Sequence, residues 1–124
     1  MGPTPVTVTI RNPVELRRTW EGFFLVDTGA TDSLVAGQHL ESFGFAPKGR
    51  RVYELADGRE TRMDIATTDI EFMGEIVGGT ILFGESNVEP LLGVTALESV
   101  GIEAEPNNQR LRRLPAIRLK RLRN

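Results

Sequence analysis

The stretch Phe23-Phe24-Leu25-Val26-Asp27-Thr28-Gly29-Ala30-Thr31-Asp32-Ser33 runs four apolar residues into a single carboxylate, with a glycine two residues later. Four consecutive residues of this kind read as a strand buried on both faces. An ionised Asp27 at the end of such a strand is costly unless something compensates for its lost hydration. Two readings follow from the residues alone. Asp27 opens a polar turn for which Thr28 and Gly29 supply the turn chemistry, or it is held at a strand end to do chemistry.

A second stretch bears on the choice: Ile81-Leu82-Phe83-Gly84, followed by Pro90-Leu91-Leu92-Gly93-Val94-Thr95-Ala96-Leu97. Asp27-Thr28-Gly29-Ala30-Thr31 after an apolar strand resembles the active-site motif of the aspartic proteases, specifically the single-domain retropepsin-like branch. The downstream stretch resembles that family's second half, in which two aliphatic residues and a glycine end a strand beside the catalytic loop and a short helix follows. The resemblance spans about residues 5–105. It implies a mainly β fold, a small closed antiparallel β barrel with one or two short helices. The expected organisation is a protease domain over 1–105 and a basic hairpin or tail over 106–124. Retroviral members often carry an Asp where this chain has Thr31 and an Arg where it has Val94. Both charges are missing together, so neither is left unmatched. That pattern points to a cellular, prokaryotic member rather than a viral enzyme.

Length and composition agree with one small core. The chain has 124 residues, no Cys and one His, His39. A disulfide framework, a zinc-thiolate site, cysteine catalysis and a histidine metal cluster are thereby excluded, and no metal or cofactor is expected. No apolar run reaches the ~18–20 residues that cross a bilayer. Met1-Gly2-Pro3-Thr4-Pro5 lacks the regions of a secretory signal, so a soluble, cytoplasmic protein is expected.

The net charge of −2 hides a division. All 17 acidic residues lie at or before Glu105, while seven of the 15 basic ones lie after it, leaving −9 on the first 106 residues and +7 on the tail. A basic tail suits nucleic acid, yet no aromatic residue follows Phe83 to stack on bases. Leu111, Leu114, Ile117, Leu119 and Leu122 interleave the charges. The preferred reading is a tail that packs on the acidic body or on a partner subunit.

Val6, Val8 and Ile10 alternate with Thr7 and Thr9 as in a half-buried strand that Asn12-Pro13 ends. A second strand covers 19–27. Residues 38–43 suggest a short helix stopped by Gly44, on which His39 is an exposed residue rather than a catalytic one. Val52-Tyr53-Glu54-Leu55 and Thr61-Arg62-Met63-Asp64-Ile65 flank Asp57-Gly58 and predict a hairpin, either an ordinary surface hairpin or a cover over a site. Ile76-Val77 and 80–83 flank Gly78-Gly79, which lacks the Lys-Ser or Lys-Thr of a phosphate loop. Thr95 and Glu98 have capping-box spacing, predicting a helix to about Val100 closed by Gly101. Residues 102–104 and 110–111 predict a hairpin, and 117–119 a last strand.

The resemblance assigns Asp27, Thr28 and Gly29 to catalysis. It makes the 52–65 hairpin a flap, with Leu55, Ala56, Asp57 and Gly58 over the substrate and Ala30, Thr31 and Asp32 lining the cleft. A cleft lined by Leu34, Leu55, Ile81 or Leu91 favours apolar side chains. One chain carries one Asp-Thr-Gly, and the chemistry needs two facing carboxylates. The implied unit is therefore a homodimer acting as an aspartic endopeptidase on an extended peptide or protein. The alternative is a non-catalytic peptide-binding or scaffolding module with the same fold.

Overall fold

The structure is a computed structural model and describes residues 5–105, 110–117 and 119. Its elements run β1 (Pro5–Arg11), β2 (Thr19–Asp27), β3 (Ser33–Ala36), α1 (Gly37–Ser42), β4 (Gly49–Glu54), β5 (Glu60–Phe72), β6 (Glu75–Gly84), β7 (Leu91–Gly93), α2 (Val94–Ser99), β8 (Ile102–Glu105) and β9 (Arg110–Arg113). The main sheet has the order β1-β2-β7-β3-β6-β5-β4, and a further pairing of β1 with β5 closes six of its strands into a barrel. The seventh strand, β4, pairs with β5 alone and stands off the barrel as one arm of a hairpin. Most pairings are antiparallel, but β2 runs parallel to β7 and β3 parallel to β6.

The period-2 pattern of the sequence fills the barrel. Val8 and Ile10 of β1, Phe24 and Val26 of β2, Ala66, Ile70 and Phe72 of β5, and Ile81 of β6 point inward. Leu40 of α1 and Leu97 of α2 join the same buried core. Burying Phe24 completely is worth about 1.5–3 kcal/mol in transfer free energy alone. β2 differs from the expectation of a strand buried on both faces. Phe24 is 0% exposed but Phe23 is 77% exposed. In a single-walled barrel only one face of each strand meets the core, so the apolar run splits into an inner and an outer set.

β5 and β6 also run longer than expected. β5 continues through Thr67 and Thr68, whose hydroxyl at 68 is buried and donates to the Arg11 carbonyl at 3.0 Å. β6 continues through Gly78 and Gly79, which pair with Asp69 and Thr68.

α2 begins one residue before the expected cap. Gly93 is its N-cap and no side chain caps it. The amides of Val94 and Thr95 are taken instead by the carbonyls of Ala30 and Thr31, at 2.8 and 3.1 Å. A helix whose first donors are satisfied by a neighbouring loop needs no capping box.

The C-terminal hairpin pairs Ile102 with Arg113 and Glu105 with Arg110. Its expected turn over Pro106-Asn107-Asn108 lies outside the described residues. Arg112 pairs with Glu103, and Arg113 pairs with Glu75 and donates to the Met73 carbonyl. Ile117 and Leu119 are not in a strand, and Arg118 between them lies outside the described residues. Among the described residues, no helix is long and apolar enough to cross a membrane.

Candidate active site

β2 delivers Asp27 to its last position, directly opposite Gly93 of the parallel strand β7. The chain then turns sharply. Gly29 donates its amide to Asp27 Oδ1 at 2.9 Å, and Ala30 donates to the Asp27 carbonyl at 3.0 Å. One carboxylate oxygen is thus fixed by the backbone two residues on, an Asx turn. The turn reading and the reactive reading of Asp27 therefore describe one geometry.

The loop after Asp27 is fastened from the β7–α2 junction. Besides the two amides of α2, Gly93 donates to the buried Ser33 Oγ at 3.0 Å. A Cβ on Gly93 would lie 2.6 Å from the Asp32 carbonyl carbon and 2.7 Å from the Thr31 oxygen, both backbone atoms. Only glycine permits this approach. The two motifs, more than 60 residues apart in the chain, are thus locked together by main-chain contacts.

A cleft of about 1020 Å³ opens over this floor. Asp27, Gly29, Ala30, Thr31 and Asp32 line its base, and the β4–β5 hairpin covers it with Tyr53, Leu55, Ala56 and Met63. Leu34 and Leu91 contribute apolar wall. Ile81 does not: it is fully buried in the barrel, and its neighbours Leu82 and Phe83 line the cleft instead. Asp57 and Gly58 sit at the hairpin tip outside the cleft lining, with Asp57 accepting from the Arg59 amide and paired with the Arg59 guanidinium. Gly58 has φ of +89°, as the tight turn requires.

Thr28 faces elsewhere. It lines a second hollow of about 520 Å³ with Val94, Leu97, Ile102, Ala104 and Ile117. His39 is exposed on α1 and stacks on Trp20 at 5.4 Å between ring centroids, away from the cleft lining. Among the described residues, no cluster of three or more His, Cys, Asp or Glu side chains could hold a metal ion.

Sequence reasoning missed Tyr53 and Arg51. The Tyr53 hydroxyl donates to Asp32 Oδ2 at 2.6 Å, and Arg51 Nη1 lies 3.9 Å from the same oxygen. Burial, followed by the Asp32 bond, raises the Tyr53 pKa, so the phenol keeps its proton. The one signal in the sequence was the alternation that places residues 51 and 53 on one face of a cover strand.

No protein-family model matches the chain, and no curated protein matches it. Among solved structures it is similar to the solution structure of the simian foamy virus (mac) protease. The TM-score is 0.51, with 20% sequence identity, covering 73% of this chain and 87% of that chain. At that identity the likeness is one of fold, and the fold is that of the retropepsin-like acid proteases, a closed six-stranded β barrel with two short helices.

Proposed function

We propose that the protein is an aspartic endopeptidase that cleaves extended polypeptides with a pair of Asp27 carboxyl groups, one from each subunit of a homodimer. The observation that carries this reading is the placement of Asp27 at the end of β2, held by the Gly29 amide at the base of a cleft that a hairpin covers. A lone carboxylate cannot act as acid and base together on one peptide bond, and a single chain offers one Asp-Thr-Gly, the other carboxylate of the cleft base, Asp32, being engaged by Tyr53 and Arg51. A twofold contact that brings the two Asp27 loops face to face supplies both.

Two carboxyls at close range resist double ionisation, so the pair shares one proton. The ionised member takes a proton from a water molecule as its oxygen attacks the scissile carbonyl carbon. The protonated member gives its proton to the carbonyl oxygen as the tetrahedral intermediate forms. Collapse of that intermediate breaks the C–N bond: the departing nitrogen takes the proton from the protonated carboxyl while one hydroxyl of the intermediate gives its proton to the ionised one, so the dyad ends with one proton as it began. No covalent enzyme intermediate forms.

The face that carries Thr28 supports the dimer. It is a hollow of mostly apolar lining, with Glu98 and Glu103 also on it, formed by α2, β8 and the segment after β9, and Thr28 on it is assigned a hydrogen bond across the twofold axis beneath the two carboxyls. Gly29, Ala30, Thr31 and Asp32 are assigned to the substrate backbone on the floor, and Leu55, Ala56, Asp57 and Gly58 to the cover. The hairpin would exclude water and pair with an extended peptide. A cellular, prokaryotic origin fits the missing charge pair at Thr31 and Val94.

The test is cleavage of a diverse peptide library by wild type and by Asp27→Asn across about pH 4–7. Asp27-dependent cuts support the peptidase. Saturable binding of uncut peptides by both forms, with no cleavage, supports the binding module instead.

A further inference from the structure

The cleft has two walls with different attachments, and one residue joins them. Asp32 belongs to the floor: its loop is tied to α2 through the Thr31 carbonyl, and its backbone packs against Gly93. Tyr53 belongs to the cover: β4 pairs with β5 only, and its other edge pairs with nothing among the described residues. The 2.6 Å bond from the Tyr53 hydroxyl to Asp32 Oδ2 crosses from one wall to the other. The Asp32 side chain is only 13% exposed, and Arg51, two residues from Tyr53 on the same strand face, flanks the same oxygen. The other side-chain ion pairs of the hairpin, Arg50 with Asp64 and Arg59 with Asp57, stay within it. Among the described residues, the Asp32 contacts are therefore the polar side-chain links between cover and floor.

We propose that Tyr53 is a positioning residue of the cleft, whose phenol clasps the cover strand to Asp32 on the floor. The clasp sets how readily the hairpin lifts to admit an extended peptide and how firmly it closes over one. A hydrogen bond to a carboxylate is among the stronger neutral-donor contacts, and the low exposure of the Asp32 side chain limits competition from water. Arg51 holds the Asp32 oxygen in place without itself closing the bond, being 3.9 Å away. The clasp's role in substrate turnover rests on the peptidase reading, whereas its role in hairpin opening does not.

Hydrogen exchange of the free full-length chain, read by mass spectrometry over the 49–60 hairpin, tests it directly. Tyr53→Phe keeps the ring and removes the donor, and exchange of the hairpin is expected to rise about three- to tenfold, with the barrel strands unchanged. Asp32→Ala is expected to produce a similar rise. The double variant should exchange no faster than Asp32→Ala alone, because Asp32→Ala already removes the Tyr53 bond together with the Arg51 contact. Unchanged hairpin exchange in Tyr53→Phe overturns the clasp, as does a uniform rise over the whole chain, which marks a loss of global stability. With an Asp27-dependent substrate, Tyr53→Phe is expected to raise KM by about the same factor and to change kcat by less than about twofold. A fall in kcat at constant KM overturns the positioning role. If no substrate is ever cleaved, the exchange result still decides the clasp, so the two failures are distinguishable.

Discussion

The floor and the cover of the cleft face each other but are built on opposite terms. The floor loop, 28–33, is held by main-chain bonds from Val94 and Thr95, by the buried Ser33 hydroxyl and by the close packing of Gly93. The cover, 49–60, hangs from one strand edge and reaches the floor through side chains. Main-chain contacts fix Asp27 and the loop that follows it. The cover instead depends on its pairing with β5 and on the Tyr53 and Arg51 contacts to Asp32. The difference teaches where precision and where mobility are placed in a small barrel.

The largest effect on this contrast is expected from Gly93→Ala. The added methyl meets backbone that cannot step aside, so a loss of about 3 kcal/mol or more of unfolding free energy is expected in urea denaturation. A loss below about 1 kcal/mol would show that the floor yields like the cover. Next is Ser33→Ala, which strands the buried Gly93 amide and is expected to cost about 1–3 kcal/mol by the same assay. Gly58→Ala at the hairpin tip is expected to cost about 1 kcal/mol, for its positive φ alone, since nothing lies within 4 Å of an added Cβ. That cost should appear as faster exchange of the hairpin rather than as a lower global midpoint.

The smallest effect is a titration. Tyr53 is the single tyrosine, so ionisation followed near 295 nm reports it alone. Burial first, and then the Asp32 bond, hold its pKa above the ordinary tyrosine value of about 10. A proton held more tightly in the folded state gives a stability contribution that is intact below the unfolded pKa and is lost as pH rises through the folded one. The expected midpoint therefore lies above that of the urea-unfolded chain, and a coincident midpoint would mean the phenol is free of Asp32.

The elements that local pattern controls were legible in the sequence. Strand 19–27, the turn at Asp57-Gly58 and the two short helices followed from an apolar run, turn residues and glycine stops, and the resemblance supplied their arrangement in a barrel. What failed were features decided at a distance. The capping box at Thr95 was unnecessary because Ala30 and Thr31 reach the helix from another motif. The single strand through Gly78-Gly79 is held by pairing with Asp69 and Thr68, which the flanking apolar residues alone did not reveal. Phe23 read as buried because a run of apolar residues does not reveal that a barrel wall covers one face only. The Tyr53–Asp32 contact joins residues 21 positions apart through the curl of a hairpin, which no period in the sequence encodes.

The claim on which the proposed chemistry rests is that each active site takes one Asp27 from each of two chains. Wild type and Asp27→Asn chains, unfolded together and refolded at varied ratios with total protein fixed, test it most directly. The expected result is that peptide cleavage per wild-type chain falls in proportion to the wild-type fraction, approaching zero when the variant is in large excess. Cleavage per wild-type chain that stays constant at every ratio would contradict the shared dyad and place the whole reaction within one chain.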